Sequence, residues 1–276
     1  MAIHPTAVIS PGAKIGKGVH IGPYSVIGDD VVIGDDCWID THVKIADSTT
    51  IGKRCRIYMG ALVGEEPQDH RFKPGTKATT TIGDDTTIRE YVTIHRSPFE
   101  GGNTSVGSHT LLMAFVHVGH DAQVGNRVTV ANHSALSGHV VVEDGAVISG
   151  YVLIHQFCRI GSLAMIGGRT IITQDIPPYC MLAENGCVCG PNTVGLRRAG
   201  VDSDGRLAIK NAIKNYYFRG LNATNAFEEI AKYDHRCDEV EHFVDFIRMT
   251  TRGTMPGDPG MIALGTRNKG EEQTED

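Results

Sequence analysis

The sequence predicts a mainly β protein: a three-sided solenoid of short parallel strands, followed by a small helical domain. Three observations predict it. An aliphatic residue recurs at every sixth position, glycine often follows it directly, and the pattern becomes helical from about Gly195. A period of six is neither the 3.6-residue period of a helix nor the simple alternation of an ordinary strand. It fits a solenoid of hexapeptide repeats, in which three six-residue sides close one coil of about 18 residues.

The aliphatic repeat occupies two long stretches of the chain. The first contains Ile3, Ile9, Ile15, Ile21, Ile27, Ile33, Ile39, Ile45, Ile51, Ile57 and Val63. The second contains Ile82, Ile88, Ile94, Val106, Leu112, Val118, Val124, Val130, Leu136, Val142, Ile148, Ile154, Ile160, Ile166 and Ile172. We expect each of these side chains to point inward, and the glycine that follows to permit tight backbone at the turn.

Breaks in the repeat divide the chain into regions. Segments 65–80 and 96–104 are polar and contain glycine and proline, so they are predicted to be loops that leave the solenoid. Such loops on a rigid scaffold commonly carry function. Pro177-Pro178 is expected to end the repeat. The predicted divisions are a β-helix over 1–190, helices within 191–252 and a flexible tail over 253–276.

Composition limits the classes of function. The formal net charge is only −6, a balance that does not suggest nucleic acid as a partner, and no basic tract stands out as a membrane-binding patch. No window has the roughly 18 apolar residues of a membrane span. Seven cysteines without a CxxC pair indicate reduced thiols, and therefore a cytoplasmic protein.

The histidines suggest where chemistry takes place. With about 18 residues per coil, positions 120, 138 and 156 should stack in one column, and they are His120, Gly138 and Gln156. This column combines a potential general base with an unhindered glycine amide. An acyl-transfer site needs both, a base for the attacking hydroxyl and an N–H donor for the oxyanion. We expect other histidines to be ordinary surface or stacked residues: His4, His20, His42, His70, His95, His109, His133, His235 and His242.

Several motifs resemble one family. They are PQD (67–69), TIHR (93–96), LLMAFVHVGHDAQVGN (111–126), LSGHVVVED (136–144), IHQFCRIG (154–161), QDIPPY (174–179) and NTVGLRRAG (192–200). In this order they look like the UDP-N-acetylglucosamine O-acyltransferases of lipid A biosynthesis, over nearly the whole chain.

That resemblance implies a left-handed parallel β-helix and a cytoplasmic homotrimer with its active sites in clefts between neighbouring solenoids. The implied reaction moves an (R)-3-hydroxyacyl group from acyl carrier protein to the 3-OH of UDP-N-acetylglucosamine. No cofactor and no metal are expected.

The resemblance also implies roles for single residues. His120 matches the general base, Asp121 its neighbour in the motif, and Gly138 the residue whose amide faces the thioester oxygen. No acyl-enzyme is expected, because no Ser or Cys accompanies the base in its motif. The other matches are His117, His139, His155 and Gln156 in the sugar and acyl pocket, Asp69 on the hexose, Asn192 and Arg198 on the nucleotide, and Gly168 at the floor of the acyl groove.

Some positions depart from the family pattern. Val194 stands where some members have a glutamate that faces the ribose, and Ala199 replaces the second of two arginines after Arg197. Segment 183–192 is shorter than its counterpart. The nucleotide contacts are therefore less completely matched than the base.

Four alternatives remain at this point. A sister N-acyltransferase carries an additional N-terminal domain, for which a repeat that begins at Ile3 leaves no room. An acceptor with a 3-amino group is harder to exclude. A γ-type carbonic anhydrase would use His117 and His120 as metal ligands. A non-catalytic solenoid would leave unexplained both the column and a basic patch that we expect to dock acyl carrier protein: Arg197, Arg198, Lys210, Lys214 and Arg219.

Overall fold

The computed structural model describes residues 2–232 and 237–257. In them the chain winds into a β-helix with three flat walls, and helices follow at its C-terminal end. The first wall consists of Ala2–Ile3, His20–Ile21, Trp38–Ile39, Arg56–Ile57, Thr87–Ile88, Leu111–Leu112, Thr129–Val130, Val147–Ile148, Met165–Ile166, Cys180–Leu182 and Val188–Pro191. The second wall consists of Val8–Ile9, Val26–Ile27, Lys44–Ile45, Leu62–Glu65, Thr93–His95, His117–Val118, Ala135–Leu136, Leu153–Ile154 and Ile171–Ile172. The third wall consists of Lys14–Ile15, Val32–Ile33, Thr49–Ile51, Thr79–Ile82, Asn103–Val106, Gln123–Val124, Val141–Val142 and Arg159–Ile160.

The hexapeptide period sets both the strand register and the core. Strands one coil apart pair in parallel, as His117 does with Ala135 and Ala135 with Leu153. The second residue of each short strand points inward, so Ile27 and Ile148 have no exposed surface. The residue four positions later fills the core beside it, and Val31 is equally buried. Each large aliphatic side chain that is buried in this way stabilises the fold by about 1.5–3 kcal/mol, and this is the main stabilising contribution.

Three corners join the walls. We call the corner between the first and second walls the first corner, that between the second and third walls the second, and that between the third and first walls the third. The glycine that follows the inward residue is needed for close approach, because a Cβ on Gly34 would lie 2.7 Å from the carbonyl carbon of Gly52. The left-handed φ falls two residues later, mostly on non-glycine residues such as His42 (φ 55°) and His139 (φ 60°). The predicted tight backbone at this glycine therefore reflects close contact with the next coil.

Both interruptions of the repeat leave the solenoid at the second corner. Strand Leu62–Glu65 ends one residue inside the first predicted loop and Thr79–Ile82 begins inside it, so the loop spans 66–78 rather than 65–80. The second loop spans 96–102 rather than 96–104, because strand Asn103–Val106 starts earlier. The strand pairing after the loops is regular, and the pairing before them shifts register only between Val63 and Glu65.

Pro177-Pro178 does not end the sheet. Strand Cys180–Leu182 continues the first wall in parallel with Met165–Ile166, and Val188–Pro191 then pairs with it antiparallel. Four helices follow: α1 (Thr193–Arg198), α2 (Ser203–Tyr217), α3 (Ala223–Ala231) and α4 (Asp238–Arg248). The three longer helices show the apolar periodicity of a helix, whereas α1 is too short to show one. No helix among the described residues combines the length and apolar character that crossing a membrane requires.

The first part of the predicted flexible tail is packed against the solenoid. The N–H of Asp175 donates to the carbonyl of Gly253 (2.9 Å), Met255 is buried, and the N–H of Val188 donates to Pro256. The described part of the segment predicted to be flexible, residues 253–257, is therefore attached to the solenoid. Residues 258–276 lie outside the described residues.

Candidate active site

The predicted column exists at the second corner. The register of the second wall places His120, Gly138 and Gln156 one above another. Backbone hydrogen bonds join these stacked positions. The N–H of His139 donates to the carbonyl of His120 (2.9 Å), and the N–H of Phe157 donates to the carbonyl of Gly138 (3.2 Å). Both loops leave at this corner, so they can reach the column.

Two carboxylates flank the ring of His120. Its Nδ1 lies 2.8 Å from Oδ2 of Asp121, and its Nε2 lies 3.5 Å from Oδ2 of Asp69. The N–H of Asp121 donates to Oγ1 of Thr104 (2.7 Å), which anchors the backbone of the carboxylate. An ionised carboxylate only accepts hydrogen bonds, so the contact with Asp121 fixes a proton on Nδ1. Neutral His120 then presents the free electron pair of Nε2.

Asp69 is held by its own loop. Nη2 of Arg71 lies 2.6 Å from Oδ2 of Asp69, and the guanidinium of Arg71 stacks over Phe99 of the second loop, 4.9 Å from the ring centroid. The hydrogen bonds from Arg71 keep the pKa of Asp69 well below its usual range. A positive charge therefore stands beside Asp69 at the edge of the site. The sequence did not reveal it, because no repeat governs the path of the loop.

Gly138 has to be a glycine. A Cβ at this position would lie 2.5 Å from Nε2 of His120, too close for any side chain without displacing the imidazole. The absence of a side chain thus leaves the base in place and its electron pair open to the pocket.

The N–H of Gly138 is not bonded by the neighbouring coil. At several equivalent places in the solenoid a side chain one coil further on accepts from this N–H, as Oδ1 of Asp144 does from Asn126 (2.8 Å) and Oδ1 of Asp47 from Asp29 (2.8 Å). Gln156 stands in that place above Gly138. Among the described residues, no acceptor contacts the Gly138 N–H. A buried N–H without a partner is rare and suits a ligand oxygen.

His139 lies beside the base. Its ring meets that of His120 edge-on at 5.1 Å and stacks on Phe157 at 4.7 Å. Burial lowers the pKa of His139, which favours the neutral ring. Its Nε2 lies 3.7 Å from Oδ2 of Asp121.

Among the described residues, one group of three possible metal ligands lies close enough together to hold an ion. It consists of His120, Asp121 and His139. His117, which the carbonic anhydrase alternative requires, does not belong to it. No group of three possible ligands among the described residues therefore includes both His117 and His120, and the hydrogen bond from His120 Nδ1 to Asp121 already explains the contact between those two side chains.

A pocket of about 160 Å³ lies between His117 and Gly138. Nδ1 of His117 contacts Oγ1 of Thr93 (2.9 Å), and burial lowers the pKa of His117 to about 4. His95 is only 5% exposed, with Nδ1 bonded to the carbonyl of Glu66 and Nε2 without a partner in the described structure. His95 was expected to be an ordinary histidine. The loops break the 18-residue count that would have placed it in line with Gly119.

His155 and Gln156 form the upper rim of the site and are exposed to solvent. A guanidinium nitrogen of Arg252 lies 3.3 Å from Nδ1 of His155, and Arg252 also donates to the carbonyl of Thr173 (3.0 Å). The end of the helical region therefore contacts the rim, which the sequence did not predict.

The remaining predicted residues lie at the other two corners. Gly168 is at the first corner. Asn192 is fixed near the third, where its Nδ2 donates to the carbonyl of Leu163 (2.8 Å) and its Oδ1 caps α1 at the N–H of Gly195 (3.0 Å). Arg198 is exposed at the end of α1. Within one chain, these three residues are not brought to His120.

Comparisons with known proteins agree with this architecture. Residues 30–65 and 103–138 match the bacterial transferase hexapeptide family of six repeats, and residues 175–255 match domain 2 of the UDP-N-acetylglucosamine O-acyltransferase family. The acyl-[acyl-carrier-protein]–UDP-N-acetylglucosamine O-acyltransferase of an Anaeromyxobacter species is 43% identical over 92% of this chain and 99% of its own. The enzyme of the same name from Ectopseudomonas mendocina is 41% identical over 72% of this chain and 77% of its own.

Solved structures give the same answer. The UDP-N-acetylglucosamine acyltransferase of Bacteroides fragilis superposes with a TM-score of 0.88 at 41% identity, covering 91% of this chain and 98% of its own. That of Francisella novicida gives a TM-score of 0.87 at 38% identity, covering 95% and 98%. The predicted left-handed β-helix is thereby confirmed. Shared sequence and shared fold over almost the whole chain lead to one conclusion: this protein belongs to the UDP-N-acetylglucosamine O-acyltransferases.

Proposed function

We propose that this chain transfers an (R)-3-hydroxyacyl group from acyl carrier protein to the 3-OH of UDP-N-acetylglucosamine. The observation that carries the proposal is the environment of His120. Asp121 holds the proton on Nδ1, and Nε2 faces a pocket that also contains the unpartnered N–H of Gly138. A base and an oxyanion donor thus share one small pocket, as acyl transfer to a hydroxyl requires.

The reaction then follows from this geometry. Nε2 of His120 takes the proton of the sugar 3-OH while the oxygen attacks the thioester carbonyl. The resulting tetrahedral oxyanion is stabilised by the N–H of Gly138. Its collapse forms the ester and expels the thiolate of the carrier, which recovers the proton from Nε2. Asp121 and Asp69, on either side of the ring, stabilise the transient imidazolium.

The other side chains of the corner position the substrates. Asp69 and Arg71 form a charged edge that suits sugar hydroxyls, and the neutral rings of His117 and His139 offer hydrogen bonds without net charge. His155 and Gln156 line the upper rim. We assign the acceptor a 3-OH because the related enzymes are named O-acyltransferases. An acceptor with a 3-amino group is the alternative to be tested.

We further propose that the working unit is a homotrimer with its sites between chains. Gly168 and Asn192 lie at corners other than that of His120, so one chain does not complete the predicted site. On the second wall, Leu153 and Ile171 follow His117 and Ala135 in the outward-facing column and are 49% and 65% exposed. A neighbouring solenoid against this wall would cover them and form a cleft that excludes water.

Acyl carrier protein is the proposed partner of the helical end. On α2, Lys210 and Lys214 lie one turn apart and are exposed beside Leu207, while Arg197 and Arg198 extend from the end of α1. Basic side chains around an exposed leucine suit an acidic carrier. The seven cysteines are all free, which fits the proposed cytoplasmic location.

One assay tests the proposal. Purified protein is incubated with UDP-N-acetylglucosamine and a series of 3-hydroxyacyl carrier proteins, and products are identified by mass spectrometry, with the 3-amino sugar nucleotide in parallel. We expect an ester at the 3-position of UDP-N-acetylglucosamine. Product formed only with the amino sugar would overturn the acceptor assignment, and no product with either would overturn the function. Light scattering that finds an active monomer would overturn the trimer.

A further inference from the structure

Ser137 lines the active-site pocket, and its hydroxyl has no hydrogen-bond partner among the described residues. Ser137 lines the 160 Å³ pocket together with His120 and Gly138. Its backbone is engaged, with the N–H donating to Ile154 (3.1 Å), but its Oγ makes no hydrogen bond to any described residue. Elsewhere in the solenoid, hydroxyls hold the next coil, as Oγ of Ser134 does by donating to the carbonyl of Ser149 (2.7 Å). Ser137 has no such structural task.

The column that contains Ser137 explains why the pocket is open. The register of the second wall aligns His95, Gly119 and Ser137, each directly after an inward aliphatic residue. Gly119, in the middle, has no side chain, and a Cβ there would lie 2.8 Å from the nitrogen of Gly138. The space beside Gly119 is therefore bounded by the unpartnered Nε2 of His95 on one side and by Ser137 on the other.

Covalent geometry links Ser137 to the proposed oxyanion donor. Oγ of a serine and the backbone nitrogen of the next residue are four bonds apart, so they lie between about 3 and 5 Å from each other, depending on the rotamer. In a rotamer that turns Oγ toward the pocket, an oxygen that accepts from the N–H of Gly138 at about 2.9 Å can also accept from the Ser137 hydroxyl. Two donors at one oxyanion stabilise its charge better than one.

We propose that Ser137 is a catalytic residue, whose hydroxyl donates the second hydrogen bond, beside the Gly138 N–H, to the developing thioester oxyanion. This inference rests on the proposed acyl transfer. Its donor role differs from nucleophilic attack, since His120 takes its proton from the acceptor and the serine hydroxyl keeps its own.

Ser137→Ala tests the inference. Ser10→Ala is the matched control, because Ser10 occupies the same place at the second corner in the first coil, far from the site. We expect Ser137→Ala to lower kcat by roughly 10²-fold, the range for one lost oxyanion donor, with an unchanged KM for UDP-N-acetylglucosamine and an unchanged pH profile. Ser10→Ala should match the wild type. If circular dichroism shows that Ser137→Ala does not fold, Ser137→Cys, nearly the same size but a weak donor, replaces it.

Three results would overturn the inference. A kcat within twofold of the wild type would leave no role for the hydroxyl. A change confined to the KM of UDP-N-acetylglucosamine would place it on the bound acceptor instead. An acyl group found on Ser137 by mass spectrometry of wild-type protein mixed with acyl carrier alone would make it a nucleophile. An inactive wild type would instead refute the proposed function, so the two failures are distinguishable.

Discussion

Nδ1 of His120 donates a hydrogen bond to Oδ2 of Asp121 across 2.8 Å, although the two residues are neighbours in the chain. Asp121 occupies the left-handed place of the corner, with φ of 59°. The contact decides which nitrogen of the imidazole carries the proton and which can act as a base. It thus links the backbone of the β-helix corner to the chemistry at its surface.

Removal of the base should abolish most of the activity. We expect His120→Ala to lower kcat by roughly 10²–10⁴-fold, the usual loss for a general base, with little change in the unfolding midpoint. Steady-state kinetics and thermal unfolding check this. His42→Ala, a change at the first corner in a lower coil, is the control and should leave kcat unchanged. A His120→Ala protein with near-normal kcat would refute the assignment.

Asp121→Asn should lower activity nearly as much as His120→Ala, because it changes which nitrogen of His120 carries the proton. An asparagine amide can donate to Nδ1, which moves the imidazole proton to Nε2 and removes the electron pair that takes the proton of the acceptor. We expect kcat to fall by about 10²-fold or more while the KM for UDP-N-acetylglucosamine changes little. If Asp121→Asn were as active as the wild type, Asp121 would not be setting the tautomer of His120.

The repeat made part of this site predictable. Between Leu112 and Ile172 the inward residues keep a strict spacing of six, so positions one coil apart could be stacked by counting, and His120, Gly138 and Gln156 were found in this way. The same counting failed for His95, because loop residues separate its coil from that of Gly119.

Other features depend on contacts that no period describes. The approach of Arg71 to Asp69 follows from the path of a loop, and the contact of Arg252 with His155 from the packing of the chain end on the solenoid. Nor did the sequence show that Asn192 would be occupied in capping α1, since a cap is defined only once the helix has a start.

Gly168→Met should shorten the preferred acyl chain. Gly168 does not have a positive φ, so a side chain is conformationally allowed there. An added Cβ would have the carbonyl oxygen of Gly150 at 3.3 Å as its nearest contact and Cβ of Ser149 at 3.7 Å, which leaves room for a side chain after a small adjustment. For each methylene of the acyl chain that a blocked groove excludes, the enzyme loses about 0.8 kcal/mol of binding free energy.

Competition among carrier proteins with different acyl lengths measures this effect. The wild type is expected to prefer a long 3-hydroxyacyl chain and Gly168→Met a shorter one, at similar unfolding midpoints. An unchanged length profile in a folded Gly168→Met protein would rule out Gly168 as the determinant of chain length.

Charge reversal on the helical end should weaken only the carrier substrate. Replacing Lys210, Lys214 and Arg219 by glutamate removes attraction to an acidic partner, and exposed pairs of this kind act mainly on the association rate. We expect the KM for the acyl carrier to rise about tenfold at low salt and less at high salt, because ions screen the attraction. The KM for UDP-N-acetylglucosamine should stay constant. A carrier KM that is unchanged, or independent of salt, would exclude this patch as the docking surface.

The attachment of α4 to the solenoid should depend on pH. Nε2 of His242 lies 3.1 Å from Oε2 of Glu143, and its Nδ1 lies 3.1 Å from the hydroxyl of Tyr179. The hydrogen bond to Glu143 raises the pKa of His242, although burial and Arg159 oppose it. Burial acts to raise the pKa of Glu143, but its hydrogen bonds from His242 and Ser162 outweigh this and hold it below its ordinary value.

The two shifts give opposite pH dependences. A raised histidine pKa contributes stability that is complete below the unfolded value of about 6.5 and is lost as pH rises through the folded pKa. A lowered glutamate pKa contributes stability that is present above about 4.3 and is lost as pH falls through the folded pKa. The contact between α4 and the solenoid should therefore be strongest between about pH 4.3 and about pH 6.5.

Thermal unfolding of the wild type and His242→Gln from about pH 5 to about pH 9 tests this. We expect the midpoint of the wild type to fall as pH rises through the pKa of His242, and that of His242→Gln to change less over the same range, because glutamine does not titrate. His4→Gln, at the exposed far end of the solenoid, is the control and should follow the wild type. If His242→Gln and the wild type showed the same pH profile, the bond between His242 and Glu143 would contribute nothing that depends on charge, and α4 would be held by its other contacts, which include the hydrogen bond from Arg159 to the carbonyl of Phe246.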